Sequence, residues 1–93
     1  MGYETRGNEV VYLGEAGERL AWVTFPPAAG AGPGTVEIDR TFVDPSLRGQ
    51  GVAGELMARA AEAIRSTGRR AQPTCSYAAA WFERHPEARD LLA

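Results

Sequence analysis

Residues 47–56 read Leu-Arg-Gly-Gln-Gly-Val-Ala-Gly-Glu-Leu, a run that can handle phosphate in two ways. As Gly49-x-Gly51-x-x-Gly54 it matches the fingerprint of a dinucleotide-binding turn. As a loop of small residues feeding a helix start, it leaves several backbone N–H groups without intrahelical partners. Those donors, with the positive end of the helix dipole, suit a diphosphate. Gly49, Gly51, Ala53 and Gly54 let phosphates approach the backbone closely, and Arg48 adds a charge at the rim. The bland alternative is a Gly-rich turn that only starts a helix.

A second candidate is Cys75, the single cysteine. It falls at a strand-to-helix junction, where the helix dipole favours a thiolate, the reactive form of the side chain. The competing reading is a small buried hydrophobe, the usual fate of a free Cys. Tyr77 can serve as an acid or pack with Trp81 on the helix face. His85, the single His, precedes the helix-breaking Pro86, which points to a capping part. One His and one Cys do not fill a coordination sphere, so no metal site is expected.

The elements that must position these residues are legible in outline. Residues 8–25 read as a β-hairpin, with Asn8–Glu15 and Arg19–Phe25 as its strands and Gly-Glu-Ala-Gly-Glu as its turn. The Pro- and Gly-rich stretch at 26–34 is a loop. Residues 35–43, Thr-Val-Glu-Ile-Asp-Arg-Thr-Phe-Val, read as one strand with Val36, Ile38 and Phe42 on its apolar face. Arg40 falls on that same face, where its type is unexpected. From Gly51 the period becomes helical, with Val52, Leu56, Ala60, Ala63 and Ile64 in a stripe that Gly68 ends. A short strand, Arg-Arg-Ala-Gln-Pro-Thr, precedes a second helix at 76–85, and Pro86 opens a short last helix. The expected order is β-β-β-α-β-α-α: an α+β domain with a mostly antiparallel sheet of about four strands.

That order decides against the dinucleotide reading. A dinucleotide turn follows its strand directly and has an acidic residue about 20 positions further on. Here Asp-Pro-Ser-Leu-Arg separates the strand from Gly49, and the later stretch Arg-Arg-Ala-Gln-Pro-Thr-Cys-Ser-Tyr holds no acid.

Composition narrows the function classes. The 93 residues suit one domain, 1–93, and the apolar (44%) and charged (24%) fractions are those of an ordinary globular protein. A net charge of −2 gives no support to a nucleic-acid binder. All ten basic residues are Arg, which removes a lysine nucleophile, a Schiff base and a P-loop lysine together. Apolar runs fall far short of the roughly 18 residues that cross a membrane. The start, Met-Gly-Tyr-Glu-Thr-Arg, lacks the charged-then-apolar pattern of a secretory signal. A cytoplasmic protein is expected.

The segment Phe-Val-Asp-Pro-Ser-Leu-Arg-Gly-Gln-Gly-Val-Ala-Gly-Glu-Leu-Met resembles the fourth-strand-to-helix segment of the GNAT acetyltransferases, whose Arg-x-x-Gly-x-Ala signature is Arg48, Gly51 and Ala53 here. Together with Pro-Thr-Cys-Ser-Tyr-Ala-Ala-Ala-Trp-Phe-Glu-Arg-His-Pro-Glu, it is similar to a group of minimal, single-domain GNAT-like proteins with a Cys-Ser/Pro-Tyr element. The resemblance runs from about Ile38 to the C-terminus. It implies that acetyl-CoA is the cosubstrate. Main-chain atoms of Phe42 and Val43 would pair with the pantetheine arm, and the amides of Arg48, Gly49, Gln50, Gly51, Val52 and Ala53 would hold the pyrophosphate. The thioester would lie near Cys75, which can take the acetyl group covalently, while Tyr77 is a candidate acid in direct transfer.

One departure stands out. The family pattern His-Thr-Phe/Glu-Val reads Arg-Thr-Phe-Val here, with Arg40 in place of a natural general base. Arg stays protonated and cannot act as a base. It can bind a phosphate or carboxylate, or stabilise a Cys75 thiolate. The N-terminal helices of larger GNAT enzymes have no room in this chain, so the acceptor surface should be open. That suits an amine on a protein or peptide, or a site completed by a second subunit. The expected function is acetyl-CoA-dependent N-acetyl transfer to an amine; the alternative is a non-catalytic module that binds coenzyme A or an acyl-CoA.

Overall fold

The computed structural model of the protein describes residues 2–93. Six strands, two α-helices and two 3₁₀ turns follow in the order β1 (Gly2–Arg6), β2 (Glu9–Leu13), β3 (Arg19–Thr24), β4 (Thr35–Ile38), β5 (Arg40–Val43), a turn at Pro45–Leu47, α1 (Val52–Ser66), β6 (Arg70–Pro73), α2 (Ser76–Arg84) and a turn at Pro86–Leu91. Strands β1-β2-β3-β5 form an antiparallel four-stranded sheet, and β4 pairs with β6 in parallel. The class is α+β, as the patterning indicates.

Three details depart from the sequence expectation. A strand precedes the hairpin: β1 pairs with β2 from Arg6↔Glu9 to Gly2↔Leu13 across a two-residue Gly7-Asn8 turn. The last helix is a 3₁₀ turn instead of an α-helix. The third expected strand is two strands, broken at Asp39.

That break organises the molecule. Asp39 N–H donates to the Thr24 carbonyl (3.3 Å), and Arg40 stands opposite the same Thr24. Two residues therefore face one, which is a β-bulge, and the side-chain alternation changes phase there. Before it, Val36 and Ile38 enter the core. After it, Thr41 and Val43 are the half-buried positions, whereas Arg40 and Phe42 are exposed. Arg40 is thus not on the core face, and Phe42 stacks on Trp22 at a ring distance of 4.6 Å on the other side of the sheet.

Helix α1 covers the sheet with most of the expected stripe: Ala63 is only half-buried, and Met57 and Ala61 join the buried face. Val52, Leu56, Met57, Ala60, Ala61 and Ile64 are buried against Val10, Ala21, Val23 and Phe25. Helix α2 adds Ala78, Trp81 and Phe82 to the same core. Burying each large side chain contributes about 1.5–3 kcal/mol. Among the described residues, no helix is long and apolar enough to cross a membrane.

Candidate active site

Strand β4 lies between β6 and the segment 26–28: Glu37 N–H donates to the Pro26 carbonyl (2.7 Å), and Ala28 N–H donates to the Thr35 carbonyl (2.9 Å). Past the bulge the chain runs along β3 as β5, and its other edge has no strand partner. The Ile38 carbonyl accepts from Thr74 N–H (3.0 Å) and Cys75 N–H (3.2 Å). Beyond that point β5 and the segment after β6 diverge. The gap between them opens at Ile38 and Cys75.

Ladder alternation decides which main-chain groups face the gap. Asp44 N–H donates to the Leu20 carbonyl (2.8 Å), so Phe42, two residues earlier, also directs its N–H and C=O at β3. Thr41 and Val43 direct theirs at the open edge. The Val43 carbonyl accepts from Arg48 Nε (3.4 Å). Of Phe42 and Val43, only Val43 therefore has main-chain atoms on the gap side.

The loop after β5 is built by local chemistry. The Asp44 carboxylate accepts from Ser46 N–H (3.0 Å) and Ser46 Oγ (2.6 Å). These bonds hold its pKa below the ordinary carboxylate range. The amides of Arg48 and Gln50 turn back to the carbonyls of Pro45 and Leu47 (3.3 Å each), and the Gln50 side chain donates to the Ser46 carbonyl (3.2 Å). Gly49 (φ 82°) and Gly51 (φ 78°) adopt left-handed backbone that a Cβ would strain.

Helix α1 starts without a capping side chain. Its first backbone bond is from Glu55 N–H to the Gly51 carbonyl (3.1 Å). The amides of Val52, Ala53 and Gly54 lie before that bond and have no backbone acceptor among the described residues. They open on a cleft of about 180 Å³ whose walls include Val43, Arg48, Gly49, Gly51, Ala53 and Tyr77. Five of the six residues whose amides are expected to hold the diphosphate line it, with Gly54 and Tyr77 added; Gln50 does not. The Arg48 amide, like that of Gln50, is already bonded to a carbonyl of the preceding turn. Gly54 and Tyr77 also border a groove of about 500 Å³ between α1 and α2, where Arg65, Arg84 and His85 lie.

Cys75 is the N-cap of α2, a position usually held by Ser, Thr, Asp or Asn. Its half-buried sulfur accepts from Ala78 N–H (3.4 Å) and lies 3.6 Å from Thr41 Oγ1. Thr41 is a residue that the sequence reading misses. A strand without a bulge puts it on the solvent side. Arg40, its neighbour, points to the opposite face and lines a separate pocket with Arg6, Glu9, Thr24 and Asp39. The structure therefore brings Cys75 together with Thr41, not with Arg40. His85 donates from Nδ1 to the Trp81 carbonyl (2.8 Å) and stacks on the Trp81 ring at 4.0 Å, a capping arrangement. Among the described residues, no group of three His, Cys, Asp or Glu is placed to hold a metal ion.

Comparison with known proteins agrees with this geometry. The model of the GCN5-related N-acetyl-transferase family matches residues 4–91. A GCN5-like protein from Staphylococcus aureus has the same fold, with a TM-score of 0.75 and 23% identity over 98% of this chain and 86% of that one. A GNAT family N-acetyltransferase from Escherichia coli, solved in complex with CoA, gives a TM-score of 0.59 and 25% identity over 66% of this chain and 35% of that one. An acetyltransferase from Trypanosoma brucei shares the fold at a TM-score of 0.60 and 22% identity, covering 82% of this chain and 58% of that one. No curated protein sequence matches the chain. A family match over nearly the whole length, a splayed strand pair and an uncapped helix start lead to one assignment: the chain belongs to the GCN5-related N-acetyltransferase family.

Proposed function

We propose that this chain, as a single domain of residues 1–93, is an acetyl-CoA-dependent N-acetyltransferase of the minimal group marked by the Cys-Ser/Pro-Tyr element, acting on an amine. The observation that carries the reading is the cleft where free amides of α1 meet the open edge of β5 at Val43. The diphosphate sits on the amides from Val52 to Gly54 with Arg48 at the rim, and the pantetheine arm pairs with Val43 along the gap. The nucleotide end extends into the α1–α2 groove towards Arg84. The E. coli relative, a complex with CoA, supports this choice of ligand.

At the thioester two routes use the same residues. In direct transfer the amine nitrogen forms the C–N bond to the acetyl carbon as the C–S bond breaks. The CoA thiolate leaves, and the surplus amine proton passes to solvent. In the covalent route a Cys75 thiolate attacks first, CoA thiolate departs, and the amine then takes the acetyl group from the Cys75 thioester. Ala78 N–H and the Thr41 hydroxyl are the donors placed to steady a charged sulfur. A module that binds CoA without transfer is the second reading, favoured by Arg40, which stands where the family pattern has a His and stays protonated.

Calorimetric titration with acetyl-CoA, followed by intact mass measurement, separates these readings. Binding with one added acetyl group that is absent in Cys75→Ala supports the covalent route. Binding without an adduct, but with acetyl transfer to an amine, supports the direct one. Binding alone leaves the module, and absence of binding overturns the proposal.

A further inference from the structure

The pocket beneath the Asp39 bulge holds charges that the transfer chemistry above does not use. A bulge aims two consecutive side chains at one face, and Asp39 and Arg40 here line the same pocket of about 500 Å³ with Arg6, Glu9 and Thr24. Its lining carries two cations, Arg6 and Arg40, and two carboxylates, Glu9 and Asp39.

These four groups are not equally free. Arg6 Nε donates to Glu4 (2.9 Å). Glu9 accepts a two-pronged contact from Arg19 (2.9 and 3.0 Å), which holds its pKa below the ordinary carboxylate range. Asp39 accepts from Thr24 Oγ1 through Oδ1 (2.6 Å), leaving its other oxygen without a partner among the described residues. The Arg40 side chain forms no hydrogen bond or ion pair among the described residues, even with the adjacent Asp39. One full guanidinium fork and one carboxylate oxygen are therefore available in a pocket whose total charge balances.

The pocket lies on the opposite face of the strand whose other side carries the proposed chemistry. Asp39 and Arg40 lie between Ile38, whose carbonyl accepts from Cys75 N–H, and Thr41, whose hydroxyl meets the Cys75 sulfur. A molecule anchored at the bulge sits beside the strand that borders the gap.

We infer that this pocket binds the acceptor, and that the acceptor is a small amine bearing a carboxylate, a free amino acid, held by its carboxylate on Arg40 and by its amino group on Asp39. Bound as an ammonium, it gives one proton to solvent before the nitrogen attacks. A guanidinium matches a carboxylate with two parallel hydrogen bonds, which an amide or a simple amine does not offer. The inference rests on the acetyltransferase reading for the fate of the amine, but binding at the pocket is testable without it.

The test uses the full chain with CoA present, followed by NMR, with L-alanine, L-alaninamide and ethylamine as probes. L-alanine is expected to shift the Arg40 Nε–H and the amides of 39–41 in a saturable way. Affinity for L-alaninamide and ethylamine is expected to be about tenfold lower or worse, the loss of one charged hydrogen-bonded contact. Arg40→Gln should remove the preference for L-alanine, and Arg40→Lys should retain part of it. The Arg40 side chain is exposed and bonded to nothing among the described residues, so a dispersed spectrum of each variant serves as the check on folding. Equal affinity for L-alanine and L-alaninamide, or unchanged L-alanine affinity in Arg40→Gln, overturns the inference. Calorimetry with CoA on the same samples separates the two proposals: L-alanine binding without CoA binding sinks the transferase reading only, and CoA binding without L-alanine selectivity sinks this one only.

Discussion

The hydroxyl of Thr41 lies 3.6 Å from the sulfur of Cys75, and the bulge at Asp39 is what turns it there. A hydroxyl at this distance can donate to a thiolate, adding to the Ala78 amide at the start of α2. Thr41→Val keeps the shape and removes the donor. Cys75 alkylation by iodoacetamide, followed by intact mass, should slow by about fivefold, the effect of one hydrogen bond. CoA affinity should stay unchanged. An unchanged alkylation rate would show that the hydroxyl does not serve the sulfur.

Gly51→Asp should abolish acetyl-CoA binding, since it places a carboxylate at the helix start and strains a residue at φ 78°. Arg48→Ala tests the same site without backbone strain. Arg48 is exposed, so its contribution should be screened by salt. The affinity gap between Arg48→Ala and the native protein should narrow between 50 mM and 500 mM NaCl in calorimetry.

Leu56 is fully buried where α1 crosses the sheet. Leu56→Ala should cost about 2–5 kcal/mol in urea unfolding. A domain of this size has only about 5–15 kcal/mol in total, so the variant should lose a large share of its stability. A cost below 1 kcal/mol would mean that the site collapses around the missing methyl groups.

Stability should fall in acid. Glu9, held by the Arg19 hydrogen bonds, Asp44, held by Ser46, and Asp90, held by Arg65, all keep their protons less readily than ordinary carboxyls. The unfolded chain binds these protons first. The three groups thus stabilise the fold above the usual carboxylate range, near pH 4, and that contribution disappears as pH drops through their lowered values. All three are surface groups, so the slope should be shallow and weaken in high salt. Urea midpoints from pH 6 to pH 2 check the direction; a midpoint that rises on acidification would contradict it.

The two α-helices, the hairpin and the Gly-rich loop before α1 are legible in the sequence because each has a local cause: a 3.6-residue stripe, period-two alternation, small residues before a helix. The bulge was legible only as a misfit. An unbroken strand over 35–43 puts Arg40 on the same face as Val36 and Ile38, and a lone cation there is the mark of a change of phase. Once the phase changes at Asp39, Thr41 turns inward and Arg40 outward, which recasts both. Strand β1 had a signal too, the Gly7-Asn8 turn, but Tyr3, Glu4, Thr5 and Arg6 are half-buried or exposed and carry little alternation. The pairing of β4 with β6 rests on long-range register, which no local pattern encodes.

The bare start of α1 has a thermodynamic consequence. With no side-chain cap and no backbone acceptor among the described residues, the amides of Val52, Ala53 and Gly54 are open to an acceptor from solution. Whatever anion occupies them completes the helix as a missing cap residue would, and it does so only in the folded chain. Its concentration then becomes a stability variable: a hundredfold excess over Kd adds about 2.7 kcal/mol. For a chain this short, such a gain raises the melting temperature on the order of ten degrees. A ligand bound at this loop would thereby also be a part of the fold, and its depletion would leave the protein nearer to unfolding.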